Sequence, residues 1–180
     1  MSSSADVSSI SVSCRCSGVR ARVANPSPAR ANHMLCYCSD CQAALHHLGR
    51  TDLFDGHGGT DIVQVAPSAL SFDRGFERIV GLRLTPKGLF RWYASCCNTP
   101  LGNCFGPSLP FIGLASQTFE GGKAGADAAF GPTASAVRTR NAVNGLPPGK
   151  PVPPIRVLST EEREALRPLC GPRSAASARG

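Results

Sequence analysis

Nine cysteines stand at positions 14, 16, 36, 38, 41, 96, 97, 104 and 170, and seven of them fall into three tight groups. Cys14 and Cys16 make C-x-C, Cys36, Cys38 and Cys41 make C-x-C-x-x-C, and Cys96 and Cys97 are adjacent. Crowded thiols pair as disulfides, run redox chemistry or hold a metal. An odd count fits poorly with a disulfide framework. Cys38 and Cys41 form the C-x-x-C of a thiol redox sensor, but the thioredoxin-type context is a βαβ unit, and the surrounding sequence reads as mostly β. Metal binding is the favoured chemistry. Cys104 and Cys170 are isolated and read as small buried hydrophobes rather than ligands.

The spacing has a geometric meaning. Residues i and i+2 of an extended segment project to the same face, so a C-x-C offers two sulfurs to one ion at about 2.3 Å each. A further cysteine at the start of a helix adds a thiolate that the helix dipole favours, which is the situation of Cys41. Soft sulfur donors select zinc over calcium or magnesium. Cys36, Cys38 and Cys41 supply three thiolates and leave a fourth position open, as in an exchangeable or catalytic site. Cys14 and Cys16 need partners from far along the chain. The adjacent Cys96 and Cys97 are the obvious suppliers, and together the four would close a structural site. Two zinc ions per chain are therefore expected. His46 and His47 point about 100° apart on a helix, so at most one could face the first ion. Arg50 and Lys87 could offer charge to a ligand's carboxylates, although nothing in the sequence singles them out.

The elements that must position these groups read as mainly β. "SISVS" (9–13) and "SGVRARV" (17–23) alternate with period two and make a hairpin turning at "CRCSG", where Gly18 could take a positive φ. "NHMLCYC" is a short strand running into the second cysteine group. "SDCQAALHHLG" (39–49) reads as a helix with Ser39 as N-cap, Ala44, Leu45 and Leu48 as its apolar stripe and Gly49 as its C-terminal cap. After the glycine-rich loop "FDGHGGTD" come the strands "DIVQV", "LSFDRG" and "RIVGLRL", then the turn "TPKG". "LFRWYAS" returns as the partner strand of a hairpin that ends at "CCNTPLGNC". The apolar stretch "LPFIGLAS" closes the domain.

The 180 residues suffice for one domain plus a tail. The organisation expected is a flexible N-terminus over 1–11, a zinc-binding domain over 12–120, and a Gly/Ala/Pro-rich basic tail over 121–180 with a short helix near 160–169. Of the net charge of +7, residues 121–180 hold most, with nine Lys/Arg against four Asp/Glu. Such a tail could touch nucleic-acid phosphates. After residue 120, however, Phe130 is the only aromatic, so stacking support is missing and nucleic acid is not a favoured partner. No apolar run approaches the ~20 residues of a membrane span. The opening "MSSSADVSSISVSC" has neither a basic n-region nor an apolar core, so the expected compartment is the cytoplasm, with reduced thiols. The sequence leaves the oligomeric state open.

Three motifs in order, "CRCSGVR", "CYCSDCQ" and "LFRWYASCCNTPLGN", resemble the glutathione-dependent formaldehyde-activating enzyme (GFA) and centromere protein V (CENP-V) family, and specifically an uncharacterised branch of it. The likeness spans roughly residues 12–115. It implies a β-tent, an all-β zinc-binding fold. It also implies a structural zinc on Cys14, Cys16 and the late cysteine motif, and an active-site zinc on Cys36, Cys38 and Cys41. The implied activity is that of a carbon–sulfur lyase acting on a glutathione–aldehyde adduct. The family's late motif is C-x-x-C-G-T-P. Here Ala94 stands where its first cysteine belongs and Asn98 where its glycine belongs. Cys96, Cys104 or His33 would then have to complete the structural site. The centromere member implies an alternative in which the same scaffold is a zinc-stapled binding module without turnover.

Overall fold

The computed structural model describes residues 8–106, 109 and 111–145. The expected tail helix near 160–169, Cys170 and most of the basic tail lie outside the described residues. Two antiparallel strands, β1 (Ser9–Ser13) and β2 (Arg20–Ala24), form the expected first hairpin, with Ser13 opposite Arg20. β5 (Leu70–Arg74) joins β2 to complete a three-stranded sheet in the order β1-β2-β5.

The second sheet has seven strands. β3 (Ala31–Cys36), β4 (Thr60–Val65), β9 (Ile112–Ala115), β8 (Thr99–Cys104), β7 (Phe90–Ala94) and β6 (Ile79–Leu82) run antiparallel in that spatial order. β10 (Ser135–Val137) adds to β3 in parallel. The chain is therefore mainly β, as expected, and the short helix α1 (Ser39–His47) follows the second cysteine group. Among the described residues no helix is long and apolar enough to cross a membrane.

The two sheets share one core. Val19, Ala21 and Val23, the apolar face of the period-two pattern, are buried with Val63 and Val65 of β4, Trp92 of β7 and Leu114 of β9. An isolated bridge between Val12 and Phe119, with Glu120 N–H donating to Ser11 O at 2.9 Å, ties the smaller sheet to the chain leaving β9.

Three local expectations are corrected. The Gly/Ala-rich stretch after residue 120 is not linker. Gly122–Phe130 is a second helix, α2, and Ala126 and Phe130, spaced i and i+4, are buried in the main core, where Phe130 meets Phe119 edge-on at 5.2 Å. Its many small residues serve close approach: a Cβ on Gly125 would stand 1.8 Å from Glu120 O. The ordered sheet thus passes the expected boundary at 120, since β10 follows α2. "CCNTPLGNC" is not merely a hairpin end. Thr99–Cys104 is a full strand, and Pro100 is tolerated because the ladder shifts register at Trp92/Tyr93, where its missing N–H costs least. At the first turn it is Ser17, not Gly18, that takes the positive φ, at 57°.

Candidate metal centre

Cys14, Cys16, Cys96 and Cys97 converge, with all four sulfurs within 4.8 Å of one another. Cys14 leaves β1 and Cys16 lies in the hairpin turn, while Cys96 and Cys97 occupy the turn from β7 to β8. Sulfur separations within the group are 3.6 Å (14–16), 3.8 Å (14–96), 3.2 Å (16–96) and 3.9 Å (96–97). Four sulfurs at 2.3 Å from a tetrahedral ion would be about 3.8 Å apart. The donor set and its size fit a four-coordinate soft ion.

Adjacent cysteines reach one point because the backbone bends between them and β8. Asn98, standing where the resembled motif has glycine, takes φ 52°, a region asparagine tolerates better than most residues. The two turns are stitched together by Arg15 N–H donating to Thr99 Oγ1 at 3.1 Å. Gly18 matters here for space: a Cβ would come within 3.1 Å of Cys96 Sγ and 3.0 Å of an Arg78 guanidinium nitrogen. The thiol of Cys96 is pushed up to about 12 by its hydrogen bond to Cys16, with burial, Cys14 and Cys97 acting in the same direction. Burial acts to raise Cys97, but hydrogen bonds from the Thr99 hydroxyl and from Cys16 outweigh it and bring the thiol down to about 6.

Of the candidates to complete this group, Cys96 is the one that does so. Ala94 is fully buried in the core. Cys104 is wholly buried, disulfide-bonded and outside both groups. His33 is buried elsewhere, with Nε2 at 2.5 Å from Asp61 Oδ1 and Nδ1 at 2.8 Å from Gly131 O. Both partners offer acceptor oxygens, an arrangement that favours the form of the ring with a proton on each nitrogen. Burial acts to lower its pKa, but the bonds to Asp61 and Gly131 win and raise it.

Cys36, Cys38 and Cys41 form the second group, again within 4.8 Å of one another, with Cys36 and Cys41 Sγ 3.8 Å apart. Cys36 ends β3, and Cys38, rather than Ser39, is the N-cap of α1, its sulfur accepting from Cys41 N–H at 3.3 Å. The helix ends as expected. Gly49 takes φ 66°, its N–H donates to His46 O, and Arg50 N–H donates to Leu45 O, the paired bonds of a Schellman cap.

Tyr37, between the first two cysteines, is completely buried and fixes their direction. Its hydroxyl donates to Asp55 Oδ2 at 2.6 Å, and Asp55 Oδ1 accepts from His57 N–H and Gly59 N–H. Gly59 lies against the ring, where a Cβ would be only 2.5 Å from a Tyr37 carbon. Read as sequence, "FDGHGGTD" is only a loop. The signal available in it was Asp55 set among glycines, downstream of a tyrosine-bearing cysteine motif.

Arg91, also missed, is buried in β7 and brings Nη2 to 3.7 Å from Cys41 Sγ. Hydrogen bonds from Cys36 and Cys38, then the Arg91 guanidinium, hold Cys41 well below the usual thiol range. Hydrogen bonding to Cys38 and Cys41 raises Cys36. His46 and His47 are both exposed and belong to neither cysteine group; His46 stacks near Phe54 at 5.5 Å. Arg50 is paired with Asp52 at 2.9 and 3.0 Å, and Lys87 is exposed.

The surroundings of the two groups differ. Cys36 and Cys41 line a cavity of about 920 Å³ whose wall includes Met34, Ile62, Gln64 and Asn103, with Arg30 and Arg138 also on its lining. Cys41 further borders a small apolar pocket of about 60 Å³ shared with Arg91. No cysteine of the four-membered group lines either space. Three thiolates beside a cavity can hold an ion and still admit a further ligand; four on one ion cannot.

Comparisons with known proteins add a family but no activity. A crystal structure of a Rhodobacter sphaeroides protein, a structural-genomics target, matches with 19% identity and a TM-score of 0.45 over 62% of this chain and 88% of that one, a likeness too remote to bear on function. No curated protein matches the chain. Residues 6–150 match a family of unknown function, and on that extent of agreement the chain belongs to the DUF6151 family.

Proposed function

We propose that this is a two-zinc protein in which Cys14, Cys16, Cys96 and Cys97 hold a structural ion and Cys36, Cys38 and Cys41 hold an exchangeable one. The second site would bind a small thiol such as glutathione and act as a carbon–sulfur lyase of the formaldehyde-activating type. The observation that carries the reading is the contrast in donor number and access: four sulfurs that line neither of the two spaces described above, against three of which two, those of Cys36 and Cys41, stand on the wall of the larger one. The motif resemblance points the same way.

Zinc bound to the three thiolates would supply a cation that lowers the pKa of an incoming thiol. The chain's own part is to place that thiol. Tyr37 and Asp55 hold Cys36 and Cys38 in register, Cys38 caps the helix that presents Cys41, and the cavity receives the remainder of the molecule. Arg30 and Arg138 on its lining are better placed than Arg50 or Lys87 to meet carboxylates. In the lyase direction an S-hydroxymethyl thiol gives formaldehyde and the free thiol. The carbon–sulfur bond breaks, its electron pair stays on sulfur, and the hydroxyl proton ends there.

Metal analysis should give about two zinc per chain. Glutathione-dependent consumption of formaldehyde should disappear in Cys38→Ser. Two zinc without turnover would instead fit the non-catalytic module. Reversible loss of two hydrogens from the metal-free protein on mild oxidation would fit a thiol sensor at Cys38 and Cys41.

A further inference from the structure

We propose that Arg91 is the specificity-determining residue of the three-cysteine site, selecting a thiolate over a neutral donor as the fourth ligand. The inference rests on the exchangeable-site reading above and concerns what that site prefers to take.

Arg91 is 94% buried, and its partnering is unusual for a buried guanidinium. Nη2 reaches the sulfur of Cys41 at 3.7 Å, while Nη1 has no hydrogen-bond partner among the described residues. No carboxylate among the described residues pairs with it. A buried cation without a carboxylate is costly unless another negative charge offsets it. Asp61 lines the same small pocket, but its ion pairs are with His33 and Lys123, and the sulfur of Cys41 is the group that Arg91 touches.

The remaining surroundings strengthen that dependence. Leu45, Leu48 and Leu53 line the small pocket that Arg91 and Cys41 share, and its lining is chiefly apolar. Low-polarity walls screen little, so a charge at Arg91 acts strongly on the ligands of the ion.

Charge counting then gives the selectivity. Three thiolates and a divalent ion carry −1 together. A neutral fourth ligand leaves that at −1, which Arg91 balances. A thiolate takes it to −2, which Arg91 reduces to −1, whereas without Arg91 the full −2 would sit in a poorly solvated site. A buried opposite charge favours the charged form of a nearby group. Arg91 thus stabilises the thiolate complex more than the neutral one. The spare Nη1 leaves donor capacity that Cys41 does not use.

The test uses the full chain loaded with cobalt, whose absorption reports sulfur ligation. It is titrated with 2-mercaptoethanol as thiolate source and with imidazole as neutral donor. Mutating partners that lie just outside the ligand shell costs roughly 10–100-fold in metal affinity or activity, and an effect of that order is expected on thiol binding. In Arg91→Met the thiol should therefore bind roughly 10–100-fold more weakly, while imidazole should be little affected. Arg91→Lys keeps the charge and should keep most of the preference. Parallel weakening of both ligands would mark Arg91 as merely structural and overturn the inference, as would no change in either. If the methionine variant fails to fold, loss of the thiolate preference in the lysine variant overturns the charge argument, and its retention supports it. A wild-type protein that binds cobalt but admits neither ligand would sink the exchangeable-site reading itself. A ligand-responsive wild type whose preference is indifferent to residue 91 would sink only this inference.

Discussion

The four-cysteine and three-cysteine groups are built from the same atoms but by opposite means. The first is assembled from two turns brought together across the sheets, and Cys16 and Cys96 are exposed at its rim. It is held by its own sulfurs and by bonds from its two turns: Arg15 N–H to Thr99 Oγ1, Thr99 Oγ1 with Cys97 Sγ, and Val19 N–H to Cys14 Sγ. The second is local in sequence, six residues from first to last, yet it rests on remote supports: Asp55, Gly59 and Arg91. Long-range convergence suits an ion that staples a fold. Local convergence, backed by packed scaffolding and opened onto a cavity, suits an ion that changes ligands.

The largest effect should separate the two groups by stability. Cys14→Ser removes one ligand from the cross-sheet group, and because the energy of binding a structural ion is folding energy, a loss of several kcal/mol is expected in denaturant melts. Cys38→Ser keeps a capping oxygen at the helix N-terminus and should cost less than about 1 kcal/mol, while abolishing thiol binding. Equal losses from both variants would erase the distinction.

A smaller contrast lies between two glycines. Gly59→Ala drives a methyl to within 2.5 Å of the buried Tyr37 ring and should cost about 1–3 kcal/mol, with weaker metal uptake at the three-cysteine group. Gly18→Ala meets its neighbours at 3.0–3.4 Å, at the tip of Arg78 and at two sulfurs, so it should cost less and disturb only the four-cysteine group. Thermal melts with site-resolved cobalt spectra check both.

The smallest effect is a pH response confined to the three-cysteine side. His33 faces Asp61, Asp127 and, through Asp61, Lys123. Its folded pKa is raised above 6.5, so its contribution is fully present below that value and is lost as the pH climbs through the raised one. Burial opposes the ionised form of Asp61, but the bonds from His33 and Lys123 prevail and lower its pKa. Its contribution is therefore present above 3.8 and is lost as the pH falls through the lowered value. Subtracting the stability–pH curve of His33→Gln from that of the wild type should leave a difference that declines above pH 6.5. A flat difference would show that the ring is neutral.

Much of this was legible in the sequence, for a physical reason. Period-two patterns such as Val19-Ala21-Val23 report burial directly, and C-x-C on a strand fixes where two sulfurs point. The grouping of Cys96 with Cys14 and Cys16 followed because few other donors were free. What stayed hidden depended on tertiary partners. The glycines and alanines of α2 look like linker because helix propensity is weak there, and only the contact of Phe130 with Phe119 makes the segment worth folding. Arg91 reads as an ordinary strand residue until the cysteine group is placed beside it. Asp55 gives no hint of its role without Tyr37 above it.

One feature of the topology bears on how the protein matures. β10 lies parallel to β3, Tyr37 N–H donates to Val137 O at 3.1 Å, and Gln42 Nε2 donates to Asn141 O at 2.9 Å. During synthesis from the N-terminus, the three local cysteines emerge early, but the strand that braces them emerges about a hundred residues later, after both turns of the cross-sheet group are already available. The four-cysteine group can therefore assemble first, and the three-cysteine group acquires its final walls only once nearly the whole ordered chain has left the ribosome.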